Sequence, residues 1–184
     1  RKPERLTTST YSAVDYNEAE TVAADYNALA SKSEALSKLL PKDEQEAFYE
    51  LVLFPVKAGA NLNEMYVAGA RNALYAQQGR VSANDFADMA RRDYANDAAL
   101  MKYFNTEFAG GKWDHFQDDV HIGYTNWSEP RVPSMARIHL TSVTPTNAPT
   151  LGVAGENSAA AWPGGEGDSL LPKFNSIAQQ RRFI

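Results

Sequence analysis

Apolar residues recur at helical spacing in three segments, which span residues 15–41, 43–79 and 82–111. Each segment opens on a Ser or Asp and closes on a Pro or Gly, as helices do. In the first two, a Glu follows the opening Asp three positions later, which is the spacing of a capping box. Because the connections are short, consecutive helices should be antiparallel. The pattern therefore predicts a mainly α fold, an antiparallel up-and-down helical bundle.

The apolar stripes predict which face of each helix lies in the core. The first stripe comprises Ala19, Val22, Ala23, Tyr26, Leu29, Ala30, Leu36 and Leu40. The second runs from Phe48 to Ala73, and the third includes Phe86, Ala90, Tyr94, Met101, Phe104 and Phe108. Pro55 lies inside the second stripe and lacks a backbone N–H, which predicts a kink there.

The composition changes after Pro130 to one rich in Pro, Gly, Ser, Thr and Asn. Residues 137–141 alternate as a strand would, and residues 151–154 read as a second short strand. We therefore expect a helical-bundle domain at 1–135, followed at 136–184 by a linker and the first strands of an incomplete C-terminal β domain. The fold is thus predicted to end in a short irregular or β tail.

Charge and composition exclude several function classes. The net charge is −5 and no basic stripe is visible, which argues against a nucleic-acid partner. No apolar run approaches the roughly 20 residues that span a bilayer, so no membrane partner is expected. There is no Cys, so the redox compartment cannot be deduced. The first and last residues lead us to expect that the chain is a piece of a longer protein.

The stretch GGKWDHFQDDVHIGYTNWSEP, at 110–130, carries most of the candidate chemistry. Aromatic rings with polar edges can stack on sugars, and histidines can donate hydrogen bonds to hydroxyl groups. The candidate substrate-binding residues are Trp113, His115, His121, Tyr124 and Trp127. The alternative is that these rings pin a long loop to the bundle.

Other chemistry finds little support in the sequence. His115 and His121, together with Asp114, Asp118 and Asp119, match no known metal-ligand spacing, so we predict no metal and no cofactor. No two carboxylates stand out as the acid and base of glycoside hydrolysis. Glu18, Glu20, Glu34 and Glu46 are interpreted as solvated helix residues. No residue of the chain is assigned a catalytic role.

Several motifs occur together in a fixed order. They are RKPERL, AFYELVLFPVKAGANLNEMY, NALYAQQGRVSANDFAD, FAGGKWDHFQDDVHIGYTNWSEP, AWPG and LPKFNSIAQQRRFI. In this order they resemble the C-terminal half of glycoside hydrolase family 115, the xylan α-1,2-glucuronidases. The resemblance runs from Arg1 to Ile184.

The resemblance implies a modular parent enzyme that removes 4-O-methylglucuronic acid from xylan with inversion. Enzymes of this family have an α/β domain, a catalytic barrel-like domain, a helical bundle and a β-sandwich. By analogy this chain would be the non-catalytic bundle, supporting a catalytic domain that holds the carboxylates. Its partners would be glucuronoxylan, through that domain, and the remainder of a secreted or periplasmic parent chain.

Two other functions remain open from the sequence. The chain could be a free-standing carbohydrate-binding module that grips glucuronoxylan through Trp113, Tyr124 and Trp127. It could also be a purely structural bundle that forms a homodimer.

Overall fold

A computed structural model describes residues 5–123, 134–135, 138–147, 151–155 and 158–162. Most of these residues are helical, and the helices are α1 (Glu18–Ser37), α2 (Lys42–Phe48), α3 (Phe54–Gln77) and α4 (Ala83–Lys102). A π-helical turn at Tyr49–Leu53 joins α2 to α3, and a second one at Tyr103–Glu107 follows α4. A 3-10 turn, Phe108–Gly111, ends the helical region. The predicted mainly α fold with a short β tail is confirmed.

Helices α3 and α4 are antiparallel neighbours. The amide nitrogen of Asn72 donates to the carbonyl of Ala83 over 2.8 Å, and that of Asn61 donates to the carbonyl of Asp93 over 2.8 Å. The bonded position on α3 falls from 72 to 61 as that on α4 rises from 83 to 93, so the two helices run in opposite directions. The short connection between them makes this arrangement the expected one.

Helix α1 also lies antiparallel to α3, and polar pairs join the two. Glu20 near the start of α1 forms an ion pair with Arg71 near the end of α3. Glu34 near the end of α1 lies 2.8 Å from Lys57 near the start of α3. These two carboxylates, predicted to be solvated, are therefore partnered.

The apolar stripe of α1 is less buried than the pattern predicts. Leu29 and Leu36 each keep 47% of their surface exposed, and only Ala19 and Ser33 of this helix are buried. The prediction that these leucines lie in the core is wrong. Charged and amide side chains form part of the contact between α1 and α3, in the two ion pairs given above and between Asn27 and Glu64.

The first predicted capping box is absent from the structure. Asn17, with φ 53°, precedes α1 and makes no side-chain capping bond to any described residue. The Glu18 carboxylate instead accepts a hydrogen bond from the Ser12 N–H over 2.8 Å, and the Ser12 hydroxyl lies 3.2 Å from Asp15. The side chains of Asp15 and Glu18 therefore hold the turn before α1 in place, and they do not form a capping box.

The second predicted box is also absent. Helix α2 follows Pro41, and within the described residues no side chain caps it. Glu46, expected to complete the box and to be solvated, lies 3.0 Å from the ammonium of Lys112. A partner distant in sequence has replaced the local one.

The glycine signal at the end of α3 is confirmed. Gly79 has φ +68°, a left-handed conformation that favours glycine. The Arg80 N–H donates to the Tyr75 carbonyl over 2.9 Å, and the Gly79 N–H donates to the Ala76 carbonyl over 3.0 Å. These two bonds form a Schellman motif, which reverses the chain toward α4.

A π turn occupies the position where Pro55 predicts a kink. The N–H of Phe54 donates to the carbonyl of Tyr49, five residues back rather than four. Proline cannot donate, and its ring crowds the carbonyl four residues earlier. The wider turn accommodates Pro55 while α2 and α3 continue as one helical arm.

Two clusters form the core. The first gathers Leu6, Met65, Tyr66, Ala68, Ala90, Ile122 and Ile138. The second, here called the aromatic cluster, consists of Tyr49, Phe54, Phe104, Phe108 and Trp113. Ring centroids of Tyr49 and Phe108 lie 4.5 Å apart, and those of Phe54 and Phe104 lie 4.4 Å apart. The π turns therefore deliver aromatic side chains to one end of the bundle.

Residues 138–143 cross the bundle as an extended segment held by two asparagines, an arrangement called here the asparagine clasp. Asn72 accepts from the Thr141 N–H and donates to the Thr141 carbonyl, each over 2.8 Å. Asn84 makes the same pair of bonds with Val143, each over 2.9 Å. The strand predicted at 137–141 is wrong for the described residues 138–141, because side-chain amides take the place of a neighbouring strand.

The second predicted strand is confirmed in part. Val153–Ala154 (β1) pairs antiparallel with Ala161–Trp162 (β2). The side-chain amide of Gln78 donates to the Ala159 carbonyl over 3.0 Å, which ties this ribbon to the end of α3. The turn expected at 163–168 lies outside the described residues, and the domain boundary at residue 135 stays a prediction.

Candidate functional site

The candidate site is the loop after α4, residues 112–123, called here the anchored loop. Trp113 belongs to the aromatic cluster, and its ring meets the Phe116 ring edge-on with centroids 5.3 Å apart. The ammonium of Lys112 lies 4.8 Å from the Trp113 ring centroid and is held by Glu46. A sugar that stacked on this face of the ring would have to displace Lys112.

His121 is fixed by a buried carboxylate. Its Nε2 lies 2.9 Å from both oxygens of Asp97, whose side chain is only 3% exposed, and its Nδ1 lies 3.1 Å from the Asp119 carbonyl. The Asp119 carbonyl oxygen and an ionised Asp97 carboxylate can both only accept, so both ring nitrogens carry protons when both bonds form with that carboxylate. The hydrogen bond to Asp97 raises the pKa of His121, against the opposing effect of burial.

His115 is on the outer side of the same loop. Its side chain is 80% exposed, and its Nδ1 lies 2.6 Å from Asp118. That bond and the nearby Asp114 raise the pKa of His115. Asp118 also accepts from the Asn105 amide over 2.7 Å, and Asn105 accepts from the Gln117 N–H over 2.8 Å. The exposed histidine is therefore connected to the bundle by hydrogen bonds, through Asp118 to Asn105.

The far end of the loop enters the core. Ile122 is 1% exposed, and its carbonyl accepts from the Ser134 N–H over 3.2 Å. Gly123 follows with φ +74°, and a Cβ there would lie 2.3 Å from the Ser134 carbonyl oxygen. Only glycine fits this conformation and this approach. The loop is thus fixed at both ends and in the middle.

The described members of the predicted sugar site do not share one surface. The Trp113 ring packs against other aromatic rings and His121 bonds to buried Asp97, whereas His115 faces solvent. Tyr124 and Trp127 lie outside the described residues. The packing alternative accounts for Trp113 and His121, and His115 is left available to a ligand.

Metal binding finds no geometric support in the described part of the chain. No group of three or more His, Asp or Glu residues there could hold an ion. His115 and His121 bond to different carboxylates, Asp118 and Asp97 respectively. The absence of a metal stays a prediction. In the same residues, no helix has both the length and the apolar character needed to cross a membrane.

A second candidate site is a cleft of about 820 Å³ between α1, α3, α4 and both π turns, called here the polar groove. Its walls include amide, carboxylate and phenol side chains. They comprise Asn27, Glu34, Tyr49, Lys57, Asn61, Glu64, Asp93, Asn96 and Tyr103, with Ala30, Ser31, Ala60, Ala99 and Leu100.

Electrostatics in the groove centre on Asp93. Asp93 is 8% exposed, and its Oδ2 has no hydrogen-bond partner among the described residues. Burial, helped by the negative charge of Glu64 and opposed by Arg92, raises the pKa of Asp93 to about 6. Elsewhere in the groove, Lys57 lowers the pKa of Glu34, to which it is bonded. The groove therefore contains one cation that is already paired and two carboxylates without a cation.

The two buried acids of α4 were not predicted from the sequence. Asp93 and Asp97 lie seven and eleven residues after Phe86, which puts them within the apolar stripe of the helix. A charged residue on a buried face needs a partner or a function. That placement was a readable signal. The partner of Asp97, which is His121, could be found only from the fold.

Comparison with known proteins leaves the function open. No protein-family model matches the chain, and no curated protein matches it.

Proposed function

We propose that this chain is a non-catalytic helical bundle of a xylan α-1,2-glucuronidase of glycoside hydrolase family 115. In that role it supports the catalytic domain and holds the anchored loop in a fixed position against it. The substrate of the parent enzyme would be glucuronoxylan, and the parent would be secreted or periplasmic. The motifs quoted above, which occur in the order typical of that family, support the assignment.

The observation that carries the supporting role is the fixation of the anchored loop. Its middle is held by the contact of His121 with buried Asp97 and by the link from Asp118 to Asn105. Its end is buried at Ile122. A loop that only had to bridge two elements would not need a hydrogen bond to a buried carboxylate and two further hydrogen bonds to an asparagine side chain. Ordering it before association lowers the entropic cost of contact with another surface.

The loop presents a defined outer surface. The His115 side chain is 80% exposed and Phe116 is 59% exposed, next to the carboxylate of Asp114. An exposed ring on a rigid loop, flanked by charges, is typical of a contact surface. In the parent enzyme this surface would meet the catalytic domain or form the edge of its substrate cleft.

Activity measurements test the proposal. The purified chain should release no 4-O-methylglucuronic acid from glucuronoxylan, whereas the chain joined to a catalytic domain of the family should release it. A double substitution of His115 and Phe116 by Ser should lower turnover of the joined enzyme, with Arg91→Ser on the exposed face of α4 as the control. Release by the isolated chain, or a joined enzyme indifferent to removal of the bundle, would refute the supporting role.

One alternative is a sugar-binding module, and the exposed pair His115 and Phe116 is what favours it. Titration of the chain with xylo-oligosaccharides distinguishes the two functions. A module would bind them, and Phe116→Ala would abolish binding, while a supporting bundle would show no saturable signal.

The other alternative is a homodimer. Leu39, in the α1–α2 connection, and Leu51, in the first π turn, are 81% and 71% exposed, so apolar side chains are available to a partner. Sedimentation velocity at increasing concentration measures the oligomeric state directly. Leu51→Ser should dissociate a dimer that uses this surface and should leave a monomer unchanged.

A further inference from the structure

We propose that the polar groove binds a primary alkylammonium group, which Asp93 and Glu64 hold between them, with the Tyr103 ring at its side. The site lies apart from the anchored loop and does not depend on the function proposed above. The chemistry could come from a free aliphatic amine or from a lysine side chain of a peptide.

The first support is the state of Asp93. It lines the groove, it is more than nine-tenths buried, and its Oδ2 lacks a partner among the described residues. A buried carboxylate oxygen without a donor costs free energy. A ligand that brings an N–H group to this oxygen recovers that cost, so the unpartnered oxygen points to a ligand with a hydrogen-bond donor.

The second support is the charge of the groove. Lys57 lines it but is bonded to Glu34 over 2.8 Å, and the Asn61 amide is engaged by the Asp93 carbonyl. The Asn27 amide donates to Glu64 over 3.4 Å, a long hydrogen bond that brings no positive charge. Glu64 and Asp93 therefore repel each other without a cation between them, and a positive ligand would relieve that repulsion.

The third support is the shape of the donor. An ammonium carries three N–H donors and no acceptor, so it can serve both carboxylates and a neighbouring amide oxygen at once. Tyr103, 42% exposed, offers a ring that a cation can lie against. A metal ion is disfavoured, because no suitable group of three ligands occurs among the described residues. A neutral sugar hydroxyl would leave both charges uncompensated.

Calorimetric titration of the full chain at pH 7.5 and low salt tests the proposal, with cadaverine as the probe. Cadaverine should bind once per chain, and 1,5-pentanediol, which has the same length but no charge, should not bind. N-acetyl-lysine methylamide, the peptide-like probe, distinguishes the sources by comparison with pentylamine, which carries the same single charge: if it binds more tightly than pentylamine the ligand is a lysine side chain, and if more weakly a free amine. Equal binding of cadaverine and pentanediol, no saturable heat with any of the amines, or xylotriose binding in the groove would overturn the proposal.

Substitutions locate the site. Asp93→Asn should weaken cadaverine binding by about tenfold or more, as loss of a buried charge partner does. Asp88→Asn is the matched control, because Asp88 lies on the same helix, is exposed and pairs with Arg91 over 2.7 Å. Equal losses in the two variants would show nonspecific attraction and would overturn the proposal.

Stability and pH add readouts that separate binding from folding. Asp93→Asn should not lower the melting temperature of the free chain, since it removes a buried charge that Arg92 only partly offsets. Cadaverine affinity should fall as the pH is lowered through about 6, where Asp93 takes up a proton in the presence of Glu64 and Arg92. In Asp93→Asn the residual affinity should lose that dependence. An unchanged pH dependence in this variant would contradict the role of Asp93.

Discussion

Replacement of Asp97 by Asn should show how much the negative charge of Asp97, as distinct from the size and hydrogen bonding of its side chain, contributes to the contact with His121. An asparagine has nearly the same size and keeps an oxygen that can accept from His121 Nε2. What it removes is the negative charge behind a bond of 2.9 Å to a side chain 3% exposed. The packing of the anchored loop should survive while the electrostatic part of its attachment is lost.

The expected loss follows from the strength of the two kinds of hydrogen bond. A bond to a charged group contributes about 1.5–3 kcal/mol, and a neutral one about 0.5–1.5 kcal/mol. Asp97→Asn should therefore lower the free energy of unfolding by about 1–1.5 kcal/mol. His121→Ala should cost more, up to about 3–5 kcal/mol, because it leaves the carboxylate buried without a partner. Water entering the space left by a side chain that is 24% exposed would reduce that figure.

The pH dependence has a definite sign. The pKa of His121 is raised in the folded state above its ordinary value of 6.5. A raised histidine pKa stabilises the fold fully below the unfolded value, and this contribution is lost as the pH rises through the folded value. The difference between wild type and Asp97→Asn should therefore be largest just below pH 6.5 and should shrink above it.

Urea denaturation at several pH values between 5.5 and 8.5 measures this difference. Working in an Asp93→Asn background removes the titration of the nearby carboxylate, and the slopes of the transitions should agree if both proteins unfold in the same way. Parallel curves for the two proteins across this pH range would refute the reasoning. So would a variant that is more stable than the wild type at pH 6.

Three further outcomes are expected. Gly123→Ala should destabilise the chain more than Gly79→Ala in chemical denaturation. Both positions have positive φ, which costs an alanine about 1–2 kcal/mol, but only at Gly123 would the new Cβ meet a described backbone carbonyl. Equal losses in the two variants would contradict this. Asn72→Ala should cost about 2–3 kcal/mol and speed amide exchange across 138–143; unchanged exchange there would show that the clasp is not needed. Trp113→Phe should change stability by less than about 1 kcal/mol in thermal melts, since its Nε1 is buried without a described partner, whereas Trp113→Ala should cost more than about 2 kcal/mol.

The helices themselves were predictable because their signals are local. Apolar spacing located all three helical arms, and Gly79 marked the end of α3 at the correct residue. The paired acids at 15–18 and 43–46 misled, because a capping box is identical in sequence to a pair of acids used elsewhere. The competing partners, the Ser12 N–H and Lys112, satisfy them better.

The site was harder to predict than the fold because its contacts connect distant positions. The aromatic stretch stands out by its composition, but its attachment to the bundle depends on Asp97, 24 residues from His121. The strand predicted at 137–141 failed for a similar reason. Alternation indicates an extended backbone, but it cannot say whether a strand or the amides of Asn72 and Asn84 will satisfy that backbone.

The π turn between α2 and α3 sets how far α2 is rotated about the helix axis relative to α3. A π turn holds one residue more than an α turn, so removing any one residue from Tyr49–Leu53 would restore α-helical spacing there, apart from the hydrogen bond that Pro55 cannot donate. Each residue corresponds to about 100° of rotation around the axis. A deletion there would therefore preserve helicity while turning α2 by about a quarter of a circle relative to α3. Spectroscopic helix content would hardly change, yet Glu46 would swing away from Lys112, and the brace over the Trp113 ring would be lost.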